Sequence, residues 1–327
     1  MRIRPMHPAA LLVLLAAQAS PATAQEPAVR TVAFEAPSVG RTMKYNVVLP
    51  EGYDDSTAKY PVLYLLHGLT SNYTAWARMG VPRYARRYNL IVVMPDAGNS
   101  WYVNWSESEG DQKNAWEDCI VKDLVGHVDA TYRTVARREG RAINGLSMGG
   151  YGALMLGLRH PELFASIGSH SGALAFARGV GLRLRDGMDI SFRRQQSRQP
   201  NPEIGIEGFS SQDERTPRGR IFTTAEECDA YDPFELVREV PREKLPHIYL
   251  DCGTEDRLLE SNQEFARLLM ERKLPFTYAQ SAGGHRPDYW TREVEHSMAV
   301  QSVILRRALG QEARDRPEER SRREDAP

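Results

Sequence analysis

Residues 142–152, Ala-Ile-Asn-Gly-Leu-Ser-Met-Gly-Gly-Tyr-Gly, crowd four glycines around one serine, with an apolar run before them and a helical pattern behind. Glycine in regular structure costs roughly 0.5–1 kcal/mol relative to alanine, so this density is tolerated only where backbone must pass very close to backbone. Gly145-Leu146-Ser147-Met148-Gly149 is a G-x-S-x-G between a strand and a helix. That arrangement puts a serine on a sharp, strained turn with its hydroxyl above a sheet. Side chains two residues either side of the serine would clash there. Glycine at 145 and 149 removes the clash, and Gly150 and Gly152 let the helix close on whatever lies behind it. The helix N-terminus also aims its positive end at the serine, which favours an oxyanion.

The rest of the chain supplies the sheet. Thr31–Ala36 and Arg41–Pro50 read as early strands, rich in β-branched and aromatic residues. Apolar strand runs follow at 60–68, 89–96, 141–147, 163–172, 245–253 and 275–284. Helical patterns lie between them at 150–161 and 261–273, and a last one covers 291–309. In 115–133, Trp116, Ile120, Leu124, Val128 and Tyr132 recur at helical spacing. Apolar strands alternating with helices predict an α/β fold: a mostly parallel central sheet with helices on both faces. Chemistry in such folds gathers at the C-terminal ends of the strands. Residues 176–230 break the pattern. They are polar, Gly/Pro-rich and weakly periodic, and read as a cap-like insertion or a surface excursion.

An elbow serine needs an orienting acid and then a base, in that order along the chain. His160, His170, His247, His285 and His296 follow Ser147. His285 follows the last strand in a glycine-flanked loop, where its ring can reach over the sheet edge. His160 ends the elbow helix, His170 follows the next strand, His247 opens a strand at its wrong end, and His296 sits inside a helical repeat. His285 is therefore the expected general base. The expected acid is Asp256, carried above the sheet by the turn after the strand that ends at Asp251; Asp251 and Glu255 compete for the role. The oxyanion donors are expected to be the N–H groups of Met148, after the nucleophile, and Leu69, in the loop after the strand at 60–68. Trp101, Tyr102 and Trp105 would either line the acyl or alcohol pocket or pack their loop onto the domain.

The chain has 327 residues with 42 Lys and Arg against 43 Asp and Glu, a net charge of -1. That balance offers no excess cation for a nucleic acid, and no such partner is expected. Arg2 and Arg4, the apolar run at 9–17 and the small residues ending at Ala24 predict a signal peptide over 1–24. The apolar run is too short for stable membrane insertion, so a secreted or periplasmic protein is expected. The catalytic domain would run over 25–310, followed by a charged, disordered tail at 311–327. Cys119, Cys228 and Cys252 allow one disulfide and one thiol or three thiols. No Cys-x-x-Cys or His-Glu-x-x-His spacing suggests a metal.

Taken together, the segments at 64–76, 94–105, 118–134, 143–154, 251–265 and 283–290 resemble the esterase D and tributyrin esterase family over roughly residues 30–310. That group is similar to S-formylglutathione hydrolases, feruloyl and acetylxylan esterases and mycolyltransferases. The resemblance implies a cofactor-free α/β-hydrolase with Ser147, Asp256 and His285 as its triad and Leu69 and Met148 as oxyanion donors. It implies a serine carboxylesterase acting on short-chain acyl or carbohydrate-linked esters. The alternatives are an acyltransferase of the mycolyltransferase type, an S-formylglutathione hydrolase-like thioesterase, and a binding protein on a hydrolase scaffold. Where the S-formylglutathione hydrolases carry a cysteine, this chain reads Gly68-Leu69-Thr70-Ser71-Asn72.

Overall fold

The computed structural model describes residues 28–85, 87–187 and 216–311. The leader expected at 1–24, most of the tail and the middle of the 176–230 insertion lie outside the described residues. In chain order the elements are β1 (Val29–Ala36), β2 (Arg41–Val48), β3 (Val62–Leu66), α1 (Ala75–Arg78), α2 (Val81–Ala85), β4 (Ile91–Pro95) and β5 (Glu107–Ser108). A continuous helical stretch follows: α3 (Trp116–Asp118), a π-helical turn (Cys119–Leu124) and α4 (Val125–Thr131). Then come β6 (Arg141–Gly145), α5 (Met148–Arg159), β7 (Ser166–His170), α6 (Phe176–Arg185), β8 (Gly219–Arg220) and α7 (Ala225–Asp229). The last are α8 (Pro233–Glu239), β9 (His247–Gly253), α9 (Leu259–Glu271), β10 (Phe276–Ser281) and α10 (Pro287–Ala308).

Eight strands form one sheet in the order β1-β2-β4-β3-β6-β7-β9-β10. The β1–β2 and β2–β4 pairs are antiparallel; from β4 onward all neighbours run parallel. The chain has the α/β-hydrolase fold, a mostly parallel sheet wrapped by helices, as its strand pattern predicts. Period-two alternation divides the sheet residues between two cores. Val62, Tyr64 and Leu66 join the core under α4, α5 and α9. Leu63 and Leu65 join the one under α1, α2 and α10. Both faces are covered, which is why β3 and β4 are buried at every position.

The π turn explains the four-residue spacing of Trp116, Ile120, Leu124 and Val128. Strict fours drift around a 3.6-residue helix, and one wider turn brings the side chains back to the core. Among the described ends of the insertion, α6 and α7 pack on the body and β8 pairs with β5 to form a small second sheet. The three cysteines are free and buried, and burial pushes the Cys252 thiol up to about 12.

Candidate active site

Ser147 lies two residues past β6, with φ 55° and ψ −118°, and caps α5. The turn is forced by close approach. A Cβ on Gly145 would lie 2.3 Å from the Gly149 carbonyl oxygen, and one on Gly149 would lie 2.4 Å from that of Leu66. Strand and helix therefore touch through glycine, and the strained serine is held from both sides. Its N–H donates to the His170 carbonyl (2.9 Å), and its own carbonyl accepts from Ala173 N–H (3.1 Å). A backbone conformation this rare for a residue with a side chain persists only where its surroundings fix it.

His285 and Asp256 arrive from two other strand ends. Asp256 lies in the turn after β9, and His285 in the loop between β10 and α10. The two loops interlock, since a Cβ on Gly253 would lie 2.1 Å from the Gly283 carbonyl oxygen. His285 Nε2 is 2.9 Å from Ser147 Oγ, and its Nδ1 is 2.9 Å from Asp256 Oδ2. Asp256 Oδ1 accepts from Leu258 N–H at 2.9 Å. Burial raises the Asp256 pKa, but the hydrogen bond and charge of His285, with the Leu258 N–H, outweigh it and hold the carboxyl below its ordinary value. A carboxylate can only accept, so Nδ1 carries the proton and Nε2 faces the serine as an acceptor. The ring stands edge-on to Trp290, with centroids 4.9 Å apart.

Leu69 and Met148 also meet at the serine. The neighbouring turn donors are engaged, Thr70 N–H to Asn99 and Ser71 N–H to Gly68, while Leu69 N–H has no acceptor among the described residues. Met148 is the first residue of α5, so its N–H has no carbonyl one turn back. His67, beside this loop, is a brace: Nε2 accepts from Ala97 N–H and Nδ1 donates to the Gly68 carbonyl. A cleft of about 520 Å³ opens over Ser147 and His285, walled by Leu69, Met79, Leu146 and Trp290, with Arg78 and Arg257 at its margins.

Three aromatic positions depart from the pocket role that the sequence allowed. Trp101 and Tyr102 are buried, and neither they nor Trp105 line the cleft. Positive φ at both Trp101 and Tyr102 turns the loop inward. Trp101 stacks on Phe176 at 3.5 Å, Tyr102 donates its hydroxyl to the His67 carbonyl, and Trp105 Nε1 donates to the Ser100 carbonyl. They pack the loop and brace the Leu69 turn from behind. No described residue of 176–230 lines the cleft either.

Asp251 has another partner. Its Oδ2 lies 2.6 Å from His170 Nδ1, off the ring N–H axis, and both side chains are fully buried. His170 Nε2 meets Ser297 Oγ, which also accepts from Asn144, and Asn144 in turn accepts from Gly145 N–H. Sequence reading missed this network because its members come from β6, β7, β9 and α10. The other candidate histidines have partners away from the serine: His160 bonds Glu117, His247 bonds Thr277, and His296 bonds Glu293. No cluster of three metal-binding side chains occurs among the described residues, and no described helix is long and apolar enough to cross a membrane.

The family model described as putative esterase matches residues 36–299. An esterase of Mycobacterium tuberculosis is 29% identical over 272 residues, covering 81% of this chain. The chain spans only 58% of that relative's length. An acetyl esterase of Caldicellulosiruptor saccharolyticus is 26% identical over 77% of this chain and 86% of its own. A solved fluorophosphonate-binding serine hydrolase of Staphylococcus aureus superposes with a TM-score of 0.65 at 23% identity, covering 85% of this chain and 99% of that one. At that identity the last likeness speaks for the fold.

Proposed function

We propose that this chain, which belongs to the putative esterase family and is thereby a carboxylic ester hydrolase, works as a serine carboxylesterase on short-chain acyl or carbohydrate-linked esters. The observation that carries the reading is the unbroken row Ser147–His285–Asp256, two hydrogen bonds of 2.9 Å on a strained serine at the floor of a cleft. His285 Nε2 takes the proton of Ser147 Oγ as that oxygen attacks the ester carbonyl. The N–H groups of Leu69 and Met148 hold the oxyanion; losing one such donor typically costs on the order of 10²–10³ in rate. His285 then passes its proton to the leaving alcohol, and the acyl group stays on Ser147. Water enters and attacks the acyl carbonyl as His285 removes its proton, the same donors hold the second tetrahedral intermediate, and its collapse breaks the bond to Ser147 Oγ, which takes the proton back from His285 as the carboxylic acid leaves. Asp256 keeps the Nδ1 proton in place and balances the imidazolium throughout.

A relative that is an acetyl esterase favours a short acyl group. The leader pattern at 1–24 favours export, with a mature chain starting at Gln25. The test is hydrolysis of p-nitrophenyl acetate, butyrate and octanoate by the mature protein beside Ser147→Ala. Turnover of the short esters that falls by several orders of magnitude in the variant is the expected result. Equal turnover by both proteins would sink the serine mechanism.

A further inference from the structure

Arg78 and Arg257 both border the cleft over Ser147. Arg78 ends α1, just after the Leu69 loop, and Arg257 follows Asp256. They therefore reach the cleft from β3 and β9, which lie on opposite sides of the elbow strand β6. Many arginines of this molecule are tied down: Arg141 to Asp129, Arg159 to Glu117, Arg178 to Asp232. Arg78 and Arg257 have no such partner among the described residues, although both are exposed and free to be neutralised. The one carboxylate at the margin, Asp288, lies 3.6 Å from Arg286, so its charge is offset. In a chain of net charge -1, the mouth of this cleft is locally cationic. Its walls set apolar Leu69, Met79, Leu146 and Trp290 beside polar Thr70, Ser71 and Thr291.

We infer that the cleft takes amphiphilic esters, with an apolar body against Trp290 and Met79 and an anionic group, carboxylate or phosphate, held by Arg78 and Arg257. A guanidinium is charged at every working pH and offers a planar fork that matches both anions. Two of them beside the cleft attract an anionic substrate and fix its register over Ser147. This rests on the serine esterase reading and adds the substrate class. The anion belongs to either the acyl or the alcohol half of the ester.

Matched ester pairs test it. 4-Nitrophenyl hydrogen glutarate against 4-nitrophenyl pentanoate places the charge on the acyl side. 4-Acetoxybenzoate against its methyl ester places it on the alcohol side. With each rate divided by its alkaline hydrolysis rate, kcat/KM is expected to favour the anionic member of at least one pair by about tenfold. Added salt should erode that preference. The anionic-to-neutral ratio should fall in Arg78→Gln and in Arg257→Gln, vanish in the double variant, and partly survive in the lysine variants. Equal use of both members, or arginine variants that slow both equally, would overturn the inference. Binding read in the Ser147→Ala background separates this from the parent reading. If 4-acetoxybenzoate binds there and the double arginine variant weakens it about tenfold, the anion site stands even where hydrolysis fails. Binding indifferent to both arginines would remove the site while leaving the esterase intact.

Discussion

One strand and the turn that follows it supply two aspartates, each to a histidine, and the two pairs differ in almost everything else. Asp256 meets His285 at the mouth of a cleft, where the histidine is 19% exposed and its far nitrogen holds Ser147. Asp251 meets His170 five residues earlier with no exposure on either side, and the far nitrogen of His170 ends on Ser297. Same chemistry, different depth: past the sheet's C-terminal edge the pair can reach a substrate, while inside the sheet it can only bind secondary structure together. The inner pair still serves the outer one, because its network holds Asn144 against Gly145 and the His170 backbone holds Ser147.

The contrast breaks first at the two aspartates. Asp256→Asn should keep the fold and lower kcat by about 10³–10⁴, because it donates where Nδ1–H needs an acceptor and the ring loses its tautomer. Asp251→Asn should do the reverse. It should cost about 1–3 kcal/mol for an unsatisfied buried group, and about 3–5 kcal/mol if a buried ion pair is broken. Activity per folded molecule should stay within a few-fold. Denaturant melts beside active-site-titrated kinetics would show both. A collapse of activity in folded Asp251→Asn comparable with that of Asp256→Asn would erase the distinction.

Acid should sharpen it. Asp256 is held below the ordinary carboxylate value, and Glu117, clamped by His160, Arg159 and Tyr231, is pulled from 4.5 to about 2 despite burial. A depressed pKa in the folded state adds stability above the unfolded value, and that stability is lost as pH falls through the folded one. The Glu117 contribution should therefore be intact above about 4.5 and gone by about 2. In Glu117→Gln, melts between those values should show a flatter pH slope than wild type; an unchanged slope would contradict the assignment.

Tyr102→Phe should give the smallest effect. It removes the hydroxyl from the His67 carbonyl, costing about 1 kcal/mol and a few-fold in kcat through the Leu69 turn, with KM little changed. A KM effect larger than the kcat effect would return this residue to the pocket.

Much of this was legible in the chain because the constraints were local. Ser147 was marked by Gly145 and Gly149, whose lack of Cβ the close approach requires. His285 and Asp256 were marked by their order and their place after apolar strands. The sequence left Asp251 and Glu255 competing with Asp256; Asp251 lies within β9, and it is Asp256, in the turn beyond, that stands against His285. What stayed hidden needed tertiary distance. Trp101 and Tyr102 look like pocket residues until positive φ turns them into the core. Arg78 on α1 and Thr291 on α10 reach one cleft from more than 200 residues apart in the chain, and no spacing rule connects them. The buried network has the same character, since each member alone reads as an ordinary polar residue.

Ser147 is proposed here as the one activated hydroxyl. The most direct measurement is mass spectrometry of the intact, folded protein and its peptides after reaction with a fluorophosphonate, which phosphonylates an activated serine with loss of fluoride. One adduct per chain is expected, on Ser147, absent in Ser147→Ala and strongly slowed in His285→Ala. An adduct on another residue, or one that persists in Ser147→Ala, would contradict it.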